Sequence, residues 1–206
     1  MPENQQGQID SSHFLRRDFF QRDPVSCARD LIGVEFHWEG CAGIVVETEA
    51  YSEHGDEACH TFFRPSARRF IETHEAGSAY VYFNYGMYWL TNILTKDPRS
   101  GERGFVLLRA LEPSVGLDQM RKRRRRNRDV ELCSGPGKLS MALGISGDHH
   151  GNDLVTDFRR GFHRLPGRKP PTILTDQRVG ISKAQDLPWR FLADPSQWVS
   201  RPFGKT

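Results

Sequence analysis

The stretch Ile44-Val45-Val46-Glu47-Thr48-Glu49-Ala50-Tyr51 sets two carboxylates and a phenol at alternate positions. On a strand, side chains alternate between faces, so Glu47, Glu49 and Tyr51 share one face. Val46, Thr48 and Ala50 take the other, which is free to pack on a core. All five tyrosines of the chain lie between Tyr51 and Tyr88, four of them within Tyr80-Val81-Tyr82-Phe83-Asn84-Tyr85-Gly86-Met87-Tyr88. A tyrosine is an apolar ring with a polar tip and suits a wet pocket or an interface better than a dry core. Rings gathered beside two acids point to a flat, π-faced ligand held next to a carboxylate. The alternative is a surface row of glutamates paired with arginines.

Other residues extend that reading. Tyr80, Tyr82 and Asn84 share a strand face, and Tyr85-Gly86 reads as a turn with Tyr85 at its tip. A ring there either folds back on the hairpin or acts as a wedge between stacked bases. Glu57-Ala58-Cys59-His60 adds an imidazole to the same region. Arg121-Lys122-Arg123-Arg124-Arg125-Arg126-Asn127-Arg128 holds seven cations in eight residues, a polyanion contact or a solvated helix end. Gly135-Pro136-Gly137-Lys138-Leu139 fails the triphosphate-loop pattern, because Leu132 stands at its first glycine and Leu139 at its Ser/Thr. A glycine-rich helix start still suits one backbone phosphate.

A polyanion footprint, an exposed ring, a ring-lined pocket and a carboxylate suit an enzyme that extrudes a base from duplex DNA. The carboxylate there activates water and steadies an oxocarbenium-like transition state. A rival of another class is a non-catalytic DNA- or RNA-binding module with a stacking platform. It leaves Glu49 unexplained, since a carboxylate facing a nucleic acid is repelled.

The elements that must position these groups are readable. Asp23-Pro24 starts a helix over Val25–Ile32. Val34–Trp38 and Gly43–Tyr51 read as strands about a Glu39-Gly40 turn. Ser66–Thr73 reads as a helix, Ala79–Asn84 and Met87–Thr95 as a hairpin, and Phe105–Leu111 as a buried strand. Leu117–Arg126 and Pro136–Leu143 read as helices, the second capped by Gly144. Asp153–Asp157 and Pro171–Thr175 read as short strands. The order predicts an α+β fold: one compact domain over 13–206, with a curved antiparallel sheet surrounded by helices and an irregular C-terminal tail. Residues 1–12 read as a flexible lead-in.

The bulk numbers bound the class. A chain of 206 residues, 37% hydrophobic and 27% charged with net charge +3, matches an ordinary soluble globule. No apolar run approaches the roughly 20 residues of a membrane helix, and Met1–Gln8 has no signal-peptide core. A cytoplasmic place is expected, or a nuclear one in a eukaryote. Cys27, Cys41, Cys59 and Cys133 are scattered, with no C-x-x-C pair, so free thiols and no zinc knuckle are expected. His149-His150 beside Asp148 reads as a polar loop.

At this point the chain resembles the alkyladenine (3-methyladenine, methylpurine) DNA glycosylase family. The matching segments are Val45–Tyr51, Asp56–His60, Tyr80–Tyr88, Asn92, Val106–Pro113 and Glu131–Leu139, in family order, with a weaker match at Arg178–Ile181. They span about residues 13 to 192. The resemblance implies a single-domain, monomeric, metal- and cofactor-free enzyme. It would act on double-stranded DNA containing alkylated or deaminated purines, in base excision repair. By resemblance, Glu49 is the general base and Arg109 the cation near the catalytic water and target phosphate. Tyr51 stacks on one face of the flipped base, and His60 and Tyr82 stack on the other. Asn92 crowds the 2-amino group of guanine, and Tyr85 fills the gap in the duplex. No Schiff base is implied, and no lysine lies in the Glu49 or Tyr82 segments. Glu47 is expected in an ion pair. One departure stands out. Where the family carries a Thr-Pro-Arg-Asn-like stretch, then Met-Phe and Pro-Gly, this chain reads Thr61 to Gly77, which bears on pocket entry and lesion range.

Overall fold

A computed structural model describes residues 13–84, 86–157 and 159–205. The lead-in expected over 1–12 and the turn residue Tyr85 lie outside the described residues. No helix among the described residues is long and apolar enough to cross a membrane.

The short helix α1 (Arg17–Phe20) precedes α2 (Pro24–Asp30), which starts where expected: the Asp23 carboxylate accepts from the Ser26 N–H. Strands β1 (Glu35–Trp38) and β2 (Cys41–Ser52) pair antiparallel. Their tight turn holds Glu39 and Gly40 at φ 46° and 78°, the twist that a two-residue hairpin turn requires. Helices α3 (His60–Phe63) and α4 (Pro65–Thr73) follow. The hairpin β3 (Ala79–Asn84) and β4 (Tyr88–Lys96) forms, with Asn84 opposite Tyr88 where a two-residue Tyr85-Gly86 turn would oppose it to Met87, and β5 (Arg103–Val115) joins β4 to β2. Next come α5 (Leu117–Arg124) and α6 (Pro136–Leu143), the latter ending at the left-handed Gly144. Strands β6 (Arg160–His163), β7 (Thr172–Asp176) and β8 (Arg190–Asp194) complete the set.

The sheet runs β3-β4-β5-β2-β1-β6 and is antiparallel throughout, with β8 against β2 and β7 against β8. It is curled, a half-barrel flanked by the helices, as the expected α+β class requires. The long β2 organises it: its first half pairs with β1, and its Glu47–Glu49 segment is held between β5 and β8. The main core fills with Phe20, Leu31, Phe36, Trp38, Val45, Leu108, Leu111 and Phe162, all nearly inaccessible. On the core side of β2 the Thr48 hydroxyl donates to the Ala28 carbonyl at 2.8 Å and ties α2 to the strand. A second apolar cluster, with Phe70, Ile71, Tyr80, Leu94 and Phe105, lies under α4 and packs against Tyr51 and Tyr82.

Two expectations are corrected. Asp153–Asp157 is a turn, not a strand, with the isolated bridge Ser78–Asp153 as its one ladder pairing among the described residues. The Asp153 carboxylate folds back on the Val155 N–H and pairs with Arg17 at 2.6 Å, which competes with any strand ladder. Helix α5 stops at Arg124, because Arg125 adopts a left-handed φ of 51°. The four cysteines are free and buried, as expected.

The basic run does mixed duty. Arg121 pairs with Asp118 and Asp129, Arg123 donates to the Ala142 carbonyl, and Arg124 donates to the carbonyls of Leu132 and Glu131. These fasten α5 to α6 and the loop between them. Lys122 and Arg125 make no side-chain hydrogen bond or ion pair among the described residues.

Candidate active site

The strand alternation of β2 aims Glu47 and Glu49 to one side, and both side chains are fully buried. Pairing between β2 and β5 skips Val46 on one strand and Arg109 on the other. A bulge re-aims the residue it frees, and here it turns Arg109 onto both acids. Its Nε donates to Glu47 Oε1 at 2.8 Å, and its Nη1 lies 3.2 Å from Glu49 Oε1. Burial works against the guanidinium charge, but Glu49 and Glu47 outweigh it and hold the pKa above its ordinary value.

Glu47 is the ion-pair residue expected, although buried rather than on a surface. Its Oε1 also accepts from Arg190 Nε and from the Ser200 hydroxyl, each at 2.8 Å, and Oε2 accepts from the Ser200 N–H. Glu49 has different partners. The Tyr51 hydroxyl donates to its Oε2 and the Val179 N–H to its Oε1, both at 2.7 Å. Burial and the neighbouring Glu49 charge raise the Tyr51 pKa well above its usual value, so the phenol stays a donor.

In front of this network lies a cavity of about 600 Å³. Tyr51, His60, Tyr82, Asn92 and Arg109 line it together, with Tyr80 and the rim segment from Val179 to Lys183. Five of the expected site residues thus converge. Glu49 does not reach the wall: it stands behind Tyr51, Arg109 and Val179. Tyr85, the expected wedge, lies outside the described residues. No ring contact joins Tyr51 to His60 or Tyr82 among the described residues, whereas the His60 and Tyr82 rings touch, 4.3 Å between centroids.

A family model described as Methylpurine-DNA glycosylase (MPG) matches residues 18–197. The chain belongs to the methylpurine-DNA glycosylase family. A protein of Rhodopseudomonas palustris (strain HaA2) is 44% identical over 92% of this chain and 91% of its own length. A protein of Nitrosospira multiformis is 42% identical over 89% and 92%, and one of Agrobacterium fabrum 43% over 91% and 92%. All three carry the name "Putative 3-methyladenine DNA glycosylase".

Several residues of this methylpurine-DNA glycosylase family member escaped the sequence reading. Tyr80, given no role, is buried, stacks on Phe105 and hydrogen-bonds His60 Nδ1 at 3.0 Å, so it positions that imidazole. Its backbone carbonyl also accepts from Asn92 Nδ2 at 3.2 Å, fixing the amide at the cavity floor. Arg178 grips Asp56 through two nitrogens, at 2.6 and 2.8 Å, and lies 4.7 Å from the Tyr51 ring centre. It backs the ring that the cavity meets. The atypical segment after His60 brings Arg64 between α3 and α4 to 5.4 Å from the Tyr82 ring centre. Tyr88 lies against Gly137, where an added Cβ would stand 2.7 Å from the ring. That contact leaves no room for a side chain at Gly137.

Burial and then Arg64 push the His60 imidazole down to about 4 from its ordinary value of 6.5. The ring is neutral at physiological pH. As pH falls below about 6.5 the unfolded chain binds this proton first, so stability is lost between about 6.5 and about 4. His60→Gln is therefore expected to flatten that part of the melting-temperature profile. A variant that keeps the wild-type slope there would place the acid sensitivity elsewhere.

Proposed function

We propose that this protein is a monofunctional DNA glycosylase that takes methylated purines, 3-methyladenine among them, out of duplex DNA and hydrolyses the N-glycosidic bond. The observation that carries the reading is the Tyr51–Glu49–Arg109 network behind a cavity lined by Tyr82, His60 and Asn92. Its volume falls within the about 300–1,000 Å³ of small-ligand pockets. In this reading the flipped base enters between Tyr51 and the His60–Tyr82 pair, with Asn92 crowding a guanine amino group and Tyr85 filling the duplex gap.

Water attacks the sugar carbon, its proton passes to Glu49, and the bond to the purine nitrogen breaks with its electrons leaving on the base. A 3-methylated purine is already cationic and departs neutral. Oε2 accepts from Tyr51 alone and keeps a lone pair for the water, but Glu49 is fully buried, so water reaches it where Tyr51, Arg109 or Val179 gives way. The negative charge of Glu49 also steadies the oxocarbenium-like sugar. Deaminated purines such as hypoxanthine belong to the same range. Lys122 and Arg125 are the cations of the basic run left for phosphates.

A methylated duplex and a hypoxanthine-containing duplex, incubated with the protein, are expected to release free 3-methyladenine and free hypoxanthine, read by chromatography. DNA binding without any released base would favour the non-catalytic module.

A further inference from the structure

Away from the cavity, the outer strands β1 and β6 bring three ligating side chains to one face. Glu35 and His163 are directly opposed in the β1–β6 register, and His37 follows Glu35 by two residues. Phe36 and Trp38, on the alternate positions, face the core. One ligand atom from each of Glu35, His37 and His163 lies within 4.8 Å of the other two. We infer that Glu35, His37 and His163 form a binding site for a divalent ion of the zinc class, pinning the β1–β6 edge and separate from the reaction.

The chemistry of the donors favours such an ion: two imidazoles and a carboxylate suit zinc and its neighbours. Two ligands on one tetrahedral zinc stand about 3.3 Å apart, from bonds of about 2.0–2.1 Å. No pair need close by more than about 1.5 Å, within reach of imidazole rotation. Glu35 Oε2 and His37 Nε2 are already 2.7 Å apart and share a proton, which the ion would displace. The other oxygen, Oε1, accepts from the Ser114 hydroxyl at 2.6 Å. Outer-shell bonds of this kind orient a metal-binding carboxylate.

The His37 and Ser114 hydrogen bonds, set against burial, hold the Glu35 carboxyl below the usual range. Phe14 lies against both imidazoles, 6.0 and 5.2 Å between ring centres, and the His13 ring stands 5.8 Å from that of His163. The 13–15 segment pairs beside β6, through Leu15 to Phe162 and Arg164 to His13. An ion here would tie that segment to the sheet. A hydrogen-bonded Glu35–His37 pair by itself would need neither the opposed His163 nor the Ser114 bond.

The test uses the full chain without a histidine tag, stripped by chelator, and titrated with zinc chloride by calorimetry and with cobalt chloride by visible absorption. One ion per chain is expected, with tetrahedral cobalt bands and a higher melting temperature. His37→Gln and His163→Gln are each expected to weaken zinc binding at least tenfold while base release from methylated DNA is unchanged. Glu35→Gln, which keeps the side-chain shape, is expected to do the same. Sub-stoichiometric binding by wild type, or equal affinity in the folded variants, would overturn the assignment.

Discussion

Glu49→Gln is expected to lower base release from methylated duplex by about 10²–10⁴-fold, the usual contribution of a positioned general base. The side chain is fully buried and accepts from Val179 and Tyr51. A glutamine keeps its size and can still accept the Val179 N–H. Its amide nitrogen can donate to the Tyr51 hydroxyl oxygen. Charge and basicity are lost while the fold is kept. Arg109 retains Glu47, so no buried cation is stranded. Duplex binding should survive, which separates a chemical defect from a folding one. Single-turnover release of free base is the measurement, and a wild-type rate would remove Glu49 from the mechanism.

Glu47→Ala is expected to act on stability instead. Glu47 holds Arg109, Arg190 and both polar groups of Ser200. Removing one partner of a buried pair costs about 3–5 kcal/mol, because the opposite charge stays buried. Arg109 and Arg190 keep Glu49 and Asp176, which cushions the loss toward the lower figure. At about 2–4 °C per kcal/mol for a domain of this size, the melting temperature should fall by about 10 °C. Calorimetry checks this, and a fall of less than about 2 °C would mean that the network carries little of the fold. Glu47→Gln, which retains the acceptor Oε1, should fall less.

The local features were legible because local rules govern them. Asp23-Pro24 and Gly144 bound their helices as expected, since a cap and a left-handed glycine act on their own neighbours. The alternation of β2 gave the shared face of Glu47 and Glu49, and the five lining residues followed from the family resemblance. What was missed depends on distance along the chain. β8 carries Arg190, fully buried, in a strand where a charge reads as surface. Its partner Glu47 is 143 residues away in sequence. The bulge that turns Arg109 inward is a matter of register, which composition does not encode. Asp153 defeated a strand reading with a side-chain bond two residues on. Glu49 was expected to face the ligand; its burial behind Tyr51 and Val179 depends on a segment about 130 residues later.

That last dependence bears on how the protein is made. The acids on β2 emerge early from the ribosome, yet their partners at Val179, Arg190 and Ser200 lie 130, 143 and 153 residues downstream. Until those residues arrive, Arg109 and Tyr51 are the only partners in place for Glu47 and Glu49, and non-local pairing of this kind forms late. The charged centre is therefore assembled last, from both ends of the chain at once. An interrupted chain would lack the partners that allow the acids to be buried, and with them the pocket wall. The base-releasing chemistry therefore waits on the segment from Val179 to Ser200, and a copy interrupted before it would carry no half-built hydrolase.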